Sequence, residues 1–174
     1  MGSDDASVFP DRRWGRDGSR LQELAVRLSS TGFGASLIKR LVPLDRTVLL
    51  RTNGRLTVLG PIAAPVLLLT TTGARTGRSR TTPLLFARDE GDTLVVVGSN
   101  FGQAHHPAWT ANLLAHPEAI VRVGGATVPV AAQLLHGHQA EQAYERMVTV
   151  ARTYAEYRSR TDRTIRVFRL TPAS

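Results

Sequence analysis

Pro65-Val66-Leu67-Leu68-Leu69-Thr70-Thr71-Thr72-Gly73-Ala74-Arg75-Thr76-Gly77-Arg78-Ser79 is an apolar run that turns β-branched and then breaks on two glycines. A continuous apolar segment of this length, closed by threonines, predicts a strand buried on both faces. Residues 73–78 read as a glycine-bounded turn, and a second strand is expected over 79–88. Asp89-Glu90-Gly91-Asp92 signals a hairpin into a third strand, Thr93 to Gly98. A Gly/His-rich loop then leads to a helix opened by Pro107 at its first turn, where a missing N–H costs nothing, and closed before His116-Pro117. Strands over 119–123 and 126–135 flank Gly124-Gly125, one helix is expected over 138–155, and a last strand over 165–170. About six antiparallel strands with two interposed helices predict a small α+β barrel.

Upstream of this core the pattern is different. Residues 1–18 mix Asp, Arg, Gly and Ser and read as a loose, disordered arm. Leu21, Leu24, Ala25 and Leu28 recur at helical spacing, so an amphipathic helix is expected over 19–30. Leu37, Ile38, Leu41 and Val42 begin a second short helix that Pro43 ends, and Gly54, Gly60, Pro61 and Pro65 mark turns. The chain thus divides into an arm (1–18), a helical segment (19–64) and a barrel domain (65–174).

Composition narrows the chemistry. The chain has no cysteine, which removes disulfides, thiolate nucleophiles, iron–sulfur clusters and cysteine zinc sites together. Neither a secretory apolar core nor an apolar run long enough to span a bilayer is visible, and the chain reads as cytoplasmic. The net charge is +8, and Lys39 is the only lysine among 22 Lys and Arg. Charge alone does not choose between nucleic acid, anionic lipid and a polyanionic cofactor, but no recognition motif supports nucleic acid.

Three groups of residues carry candidate chemistry. The first, Thr70 to Pro83, offers glycines, hydroxyls and the guanidinium forks of Arg75, Arg78 and Arg80 between two strands. Glycines let backbone N–H groups approach an anion, and guanidinium binds phosphate bidentately; a solvated basic hairpin accounts for the same residues. It is neither a P-loop nor a dinucleotide fingerprint. The second, Gly98 to Leu113, brings a strand end, a loop and a helix start together, with Trp109 as a flat apolar wall. Alternatively Trp109 and Leu113 form a core pair and His106 caps the helix. His105-His106 and His136/His138 lack the spacing of a metal site. In the third, Tyr154 and Tyr157 share a helix face, followed by Arg158, Arg160, Arg163 and Arg166. These tyrosines fit either a hydrogen-bonding role toward a substrate oxygen or simple anchoring of the helix, and the arginines fit a salt-bridged surface.

In sequence order, Leu67 to Gly77, Arg80 to Leu84, Val95 to Asn100, His106-Pro107-Ala108-Trp109, Asn112-Leu113 and Tyr157 to Ile165 resemble the deazaflavin (F420)-dependent nitroreductase family of actinobacteria. The resemblance covers about residues 60–171. It implies a split β-barrel related to FMN-binding oxidases and an enzyme that transfers hydride from reduced F420 to a quinone or related planar conjugated acceptor. FMN is the second choice of cofactor, and no metal is implied. Arg75, Thr76, Gly77, Arg80, Thr81, Thr82 and Pro83 would hold the coenzyme's phosphate and acidic tail. Ser99, Asn100, Gly102, His106, Pro107, Ala108 and Trp109 would line its ring. Ser99, Tyr154 and Tyr157 would orient the acceptor. Ala151 stands where the family carries a further tyrosine, which favours, as an alternative, a noncatalytic F420 or lipid carrier of the same fold. A homodimer, and peripheral contact at the inner face of the membrane through Leu37 to Val42, are further expectations; a helix packed across the barrel explains the latter residues too and is the preferred reading of them.

Overall fold

The structure, a computed structural model, describes residues 8–10 and 65–173. The expected helix over 19–30, the second short helix at Leu37 to Val42 and the turns before Pro65 lie outside the described residues.

Seven antiparallel strands form one curled sheet. They are β1 (Val66–Thr72), β2 (Ser79–Leu85), β3 (Ala87–Arg88), β4 (Leu94–Val97), β5 (Glu118–Val123), β6 (Ala126–Leu134) and β7 (Val167–Pro172), in the order β2-β1-β5-β6-β7-β4-β3. Three helices accompany them: α1 (Ala108–Ala115), α2 (Gly137–Val150) and α3 (Thr153–Ser159). Among the described residues no helix is long and apolar enough to cross a membrane.

The expected strand over 79–88 is broken at Phe86, and the break explains the curl. β2 pairs with β1, from Val66↔Leu85 to Thr72↔Ser79, whereas β3 pairs with β4. These short strands occupy opposite margins of the sheet. One residue, Phe86, joins the two margins, so the sheet must roll up. Its side chain is buried inside and its N–H donates to the Pro65 carbonyl at 3.2 Å. Pro83 is tolerated in β2 because a margin strand can leave one N–H unused.

Alternation along the strands fills the interior. Leu67 and Leu69 of β1, Leu94 and Val96 of β4, Val121 and Val123 of β5, Val128 and Val130 of β6, and Phe168 and Leu170 of β7 share one core cluster. Trp109 and Leu113 of α1 join it. So does Phe9, read in sequence as part of the loose arm. It is fully buried, with Arg88 Nη2 donating to its carbonyl at 2.9 Å and to that of Pro10 at 3.0 Å. The hairpin dipeptide Gly124-Gly125 takes φ of 57° and 90°, the left-handed pair that matches the twist of β5 and β6.

A second cluster lies between the sheet and the C-terminal helices. Val95 and Val97 of β4 and Val167 of β7 meet Ala143, Tyr144 and Met147 of α2 and Tyr154 of α3. The single helix expected over 138–155 is two. Ala151, at φ −148° and ψ 106°, closes α2 with its N–H to the Met147 carbonyl (2.9 Å) and opens α3 by accepting from Tyr154 N (3.0 Å). The Tyr144 hydroxyl donates to the Tyr154 carbonyl at 2.7 Å and ties the two helices together. Neither turn of this break shows as a Gly or Pro in the sequence, which is why the pattern read as continuous.

Candidate active site

Helix α1 joins the first two groups of candidate residues. From its middle, Asn112 accepts from the Ala74 N–H at 3.0 Å and donates to Thr71 Oγ1 at 2.9 Å, fixing the glycine turn to the helix. Two residues earlier, Thr110 donates to the Pro107 carbonyl at 2.8 Å and accepts from Arg166 Nη1 at 3.1 Å. Thr110 also lies against Gly98, where an added Cβ would meet its methyl at 2.7 Å. Turn 73–78 and loop 98–106 are therefore held by one short helix.

The turn does not offer its backbone to an anion as the sequence suggested. Gly73 N donates to Arg78 O (2.9 Å), Gly77 N to Gly73 O (2.8 Å), Thr76 N to Gly73 O (3.2 Å), and Arg78 N to Thr76 Oγ1 (3.4 Å). With Ala74 N on Asn112, these N–H groups are engaged. What remains is side chains. Arg75, Arg78 and Arg80 are exposed, and among the described residues no carboxylate pairs with them. Four other arginines are paired with carboxylates: Arg158 on Glu141 at 2.6 Å, Arg160 on Glu156 at 2.8 Å, and Arg146 and Arg169 on the buried Asp89. Three unmatched guanidinium groups beside α1 suit an acidic, phosphate-bearing tail. Behind them, the hydroxyls of Thr70 and Thr81 pair across β1 and β2 at 2.9 Å, while Thr82 and Pro83 are half-buried opposite Leu69 and Leu68.

Loop 98–106 is shaped by Arg163. Its Nη2 donates to the carbonyls of Ser99 (2.6 Å) and Gly98 (3.1 Å), its Nε to that of Gln103 (2.9 Å), and its Nη1 lies 3.1 Å from His106 Nδ1. Nδ1 therefore accepts, and the imidazole proton sits on Nε2. Burial, then the charges of Arg166 and Arg163, lower the His106 pKa from its ordinary value, so the ring is neutral. His106 does not cap α1; Pro107 is the N-cap residue and makes no side-chain cap. Pro107 thus stands one position before the first helical residue expected of it.

Several candidates turn out to have structural duties. Asn100 donates to Gln103 Oε1 (3.3 Å) and His105 O (3.1 Å), and its φ of 47° is one that asparagine tolerates. Trp109 is 5% exposed, with its ring 5.7 Å from that of Phe168, so the core pairing with Leu113 is what the structure contains. Gly102, at φ 76°, has no room for a side chain, since a Cβ there would meet Arg160 Cβ at 2.8 Å and Tyr157 O at 3.1 Å. Pro107 is half-buried and Ala108 exposed at the start of α1.

The third group closes on the second. Ser99 is buried, and its side chain lies close enough to the Tyr154 phenol to bear on its ionisation. Tyr154 is 7% exposed; burial first, and then Tyr157, push its pKa well above the ordinary tyrosine value, against the opposing influence of Ser99. It remains protonated and stands behind Ser99. Tyr157 is half-buried, 5.4 Å from Tyr154 between ring centroids, and the exposed Phe101 packs edge-on against it at 5.9 Å and 79°.

Arg163, Asn112 and Phe101 were not singled out for these roles by sequence reasoning. A lone polar residue on the otherwise buried face of α1 was the available signal for Asn112. Arg163, one arginine among several on an exposed-looking segment, gave none.

Comparison with known proteins adds the following. The sequence profile of the F420H(2)-dependent quinone reductase family matches residues 44–172. An F420H(2)-dependent quinone reductase of Mycobacterium tuberculosis strain H37Rv is 41% identical over 125 residues, spanning 69% of this chain and 82% of that protein. Among solved structures, an F420-H2 dependent reductase, FDR-A, is 36% identical with a TM-score of 0.57, covering 62% of this chain and 94% of its own. A protein described as a domain-swapped dimer is 33% identical with a TM-score of 0.58, covering 73% of this chain and 95% of its own.

Proposed function

The chain belongs to the F420H(2)-dependent quinone reductase family, and we propose that its residues divide the reaction between the two ends of α1. It is an F420-using oxidoreductase, and reduced F420, when bound, supplies the hydride while the protein supplies position and electrostatics. The proposal concerns which residues do so.

Arg75, Arg78 and Arg80 grip the acidic tail. This assignment rests on one observation above all: they are exposed and lack carboxylate partners among the described residues, beside a turn most of whose N–H groups are engaged. The later part of loop 98–106, from Gly102 to His106, and the start of α1 border the ring. There the first N–H groups of the helix favour partial negative charge. The neutral His106 adds none of its own.

Ser99 and Tyr157 meet the acceptor. A quinone that takes up hydride gathers negative charge on its oxygen and needs a proton to become the hydroquinone. Ser99, a buried hydroxyl with the protonated Tyr154 phenol beside it, is suited to donate a hydrogen bond there. Tyr154 is accordingly a positioning residue and Ser99 the catalytic one. Assembly as a homodimer, and contact of Leu37 to Val42 with the inner face of a membrane, belong to the same proposal.

Titration of the purified chain with F420 and with FMN, followed by F420H2 oxidation with a menaquinone analogue, tests the reading. Tight F420 binding with turnover is expected. Tighter binding of FMN, or F420 binding without turnover, overturns it.

A further inference from the structure

We propose that Phe101 is a specificity-determining residue, its ring forming with Tyr157 an apolar outer wall against which the fused rings of a planar quinone pack. The inference rests on the reading above, that Ser99 and Tyr157 meet the acceptor.

Phe101 is 67% exposed, the most exposed large apolar side chain among the described residues. A single apolar residue on a surface needs no explanation. This one is held out by a loop that is costly to form. Phe101 itself has φ 56° and Asn100 before it φ 47°, a left-handed region that residues with a side chain rarely enter, and aromatic ones least. Strained backbone of this kind persists only where the surroundings impose it.

The surroundings do impose it. Gly102 N donates to Ser99 O and Gln103 N to Asn100 O, each at 3.0 Å, making a tight turn of residues 99–103. Arg163 binds the carbonyls on both sides of that turn, at Ser99 (2.6 Å) and Gln103 (2.9 Å). The close fit of Gly102 against Arg160 and the Tyr157 carbonyl fixes the turn onto α3. The ring is thus presented rigidly, and one edge is already occupied by Tyr157 at 5.9 Å, leaving the rest open.

The row Phe101, Tyr157, Tyr154 ends beside Ser99. An acceptor whose oxygen reaches Ser99 lies next to this row. Two fused rings offer Phe101 more surface than one, so the residue selects for ring number rather than for chemistry at the oxygen.

The test uses the full chain with F101A, F101L and F101W, menadione as a two-ring acceptor and benzoquinone as a one-ring acceptor, and F420 affinity measured separately by fluorescence titration. F101A is expected to raise KM for menadione about five- to tenfold, in line with the loss of an aromatic contact. It should leave kcat and benzoquinone nearly unaffected. F101W should restore KM to within about twofold, and F101L should fall between. F420 affinity should stay within about twofold throughout, since the wall belongs to the acceptor. Equal losses on both quinones, an unchanged KM, or a matching fall in F420 affinity would each overturn the proposal while the underlying reading stands. A wild-type chain that binds F420 but oxidises F420H2 with neither quinone overturns the reading itself, and this inference with it.

Discussion

Arg163 Nη2 lies 2.6 Å from the carbonyl oxygen of Ser99, a residue 64 positions earlier in the chain. The entry to β7 thereby sets the conformation of the loop after β4. Lysine cannot reproduce this, because a compact ammonium does not reach three carbonyls and an imidazole together. Both Arg163→Lys and Arg163→Ala are expected to lose about 1–3 kcal/mol of stability in urea unfolding, the range for hydrogen bonds to a charged group. Turnover should drop by about tenfold or more as Ser99 loses its position. Wild-type kcat in either variant would disprove the link.

Replacing Arg75, Arg78 or Arg80 with Ala should weaken F420 binding by about tenfold each, as expected for loss of one charge-assisted contact. The effect should shrink in high salt because the groups are exposed. Thermal midpoints should not move. An F420 affinity indifferent to the triple substitution would remove the anion-binding role.

Ser99→Ala is expected to lower kcat by about 10²-fold, the scale of deleting a donor to a developing oxyanion. Tyr154→Phe should lower it less, about tenfold, and leave KM unchanged, since the phenol acts through Ser99. Because burial keeps the Tyr154 proton in place, kcat should show no loss attributable to this tyrosine as pH rises to about 10, the ordinary tyrosine value. Equal effects of the two substitutions on KM would point to substrate contact by Tyr154 instead.

His106 provides a sign-definite pH effect. Its folded pKa lies below the model-peptide value of 6.5, so the unfolded chain binds the proton more readily. Its contribution to stability is complete above pH 6.5 and declines as pH falls through the lowered folded value. His106→Gln, which retains an acceptor for Arg163, should flatten that part of the stability profile between pH 7.5 and 5. An unchanged slope would mean that another group titrates there.

Asp89 has a side chain only 1% exposed and faces both Arg146 of α2 and Arg169 of β7. Asp89→Ala leaves two cations without their shared anion and should cost about 3–5 kcal/mol, the usual penalty for breaking a buried pair from one side. F420 affinity of the folded fraction should be unaltered. A loss below about 1 kcal/mol in denaturant titration would show the pair to be solvated in practice.

The strands were legible because apolar alternation and turn residues mark them locally: Val66 to Thr72, Gly124-Gly125 and the end of α1 at His116-Pro117 all carry that local signature. Partner exchange is not local, so the switch at Phe86 was hidden inside what looked like one strand. The same applies to Ala151, where two helices end and begin on a residue with no aversion to either. In the site, Ser99, Tyr154 and Tyr157 were legible through resemblance, and the structure does bring them together. Trp109 was ambiguous because a large flat side chain serves a core as well as a cleft, and the structure packs it in the core. Arg163 and Asn112 act across 64 and 41 positions respectively, and nothing in their immediate neighbours foretells it.

The one-residue link at Phe86 also fixes the girth of the molecule. With both margins of the rolled sheet tethered through a single peptide unit, β2 cannot shift its pairing on β1 without dragging β3 along β4. The mouth cannot dilate by strand slippage to admit a bulkier guest. Accommodation is left to the side chains and loops around the rim, so diversity in what such a hoop accepts has to be written at positions like 99–103 and not in the staves.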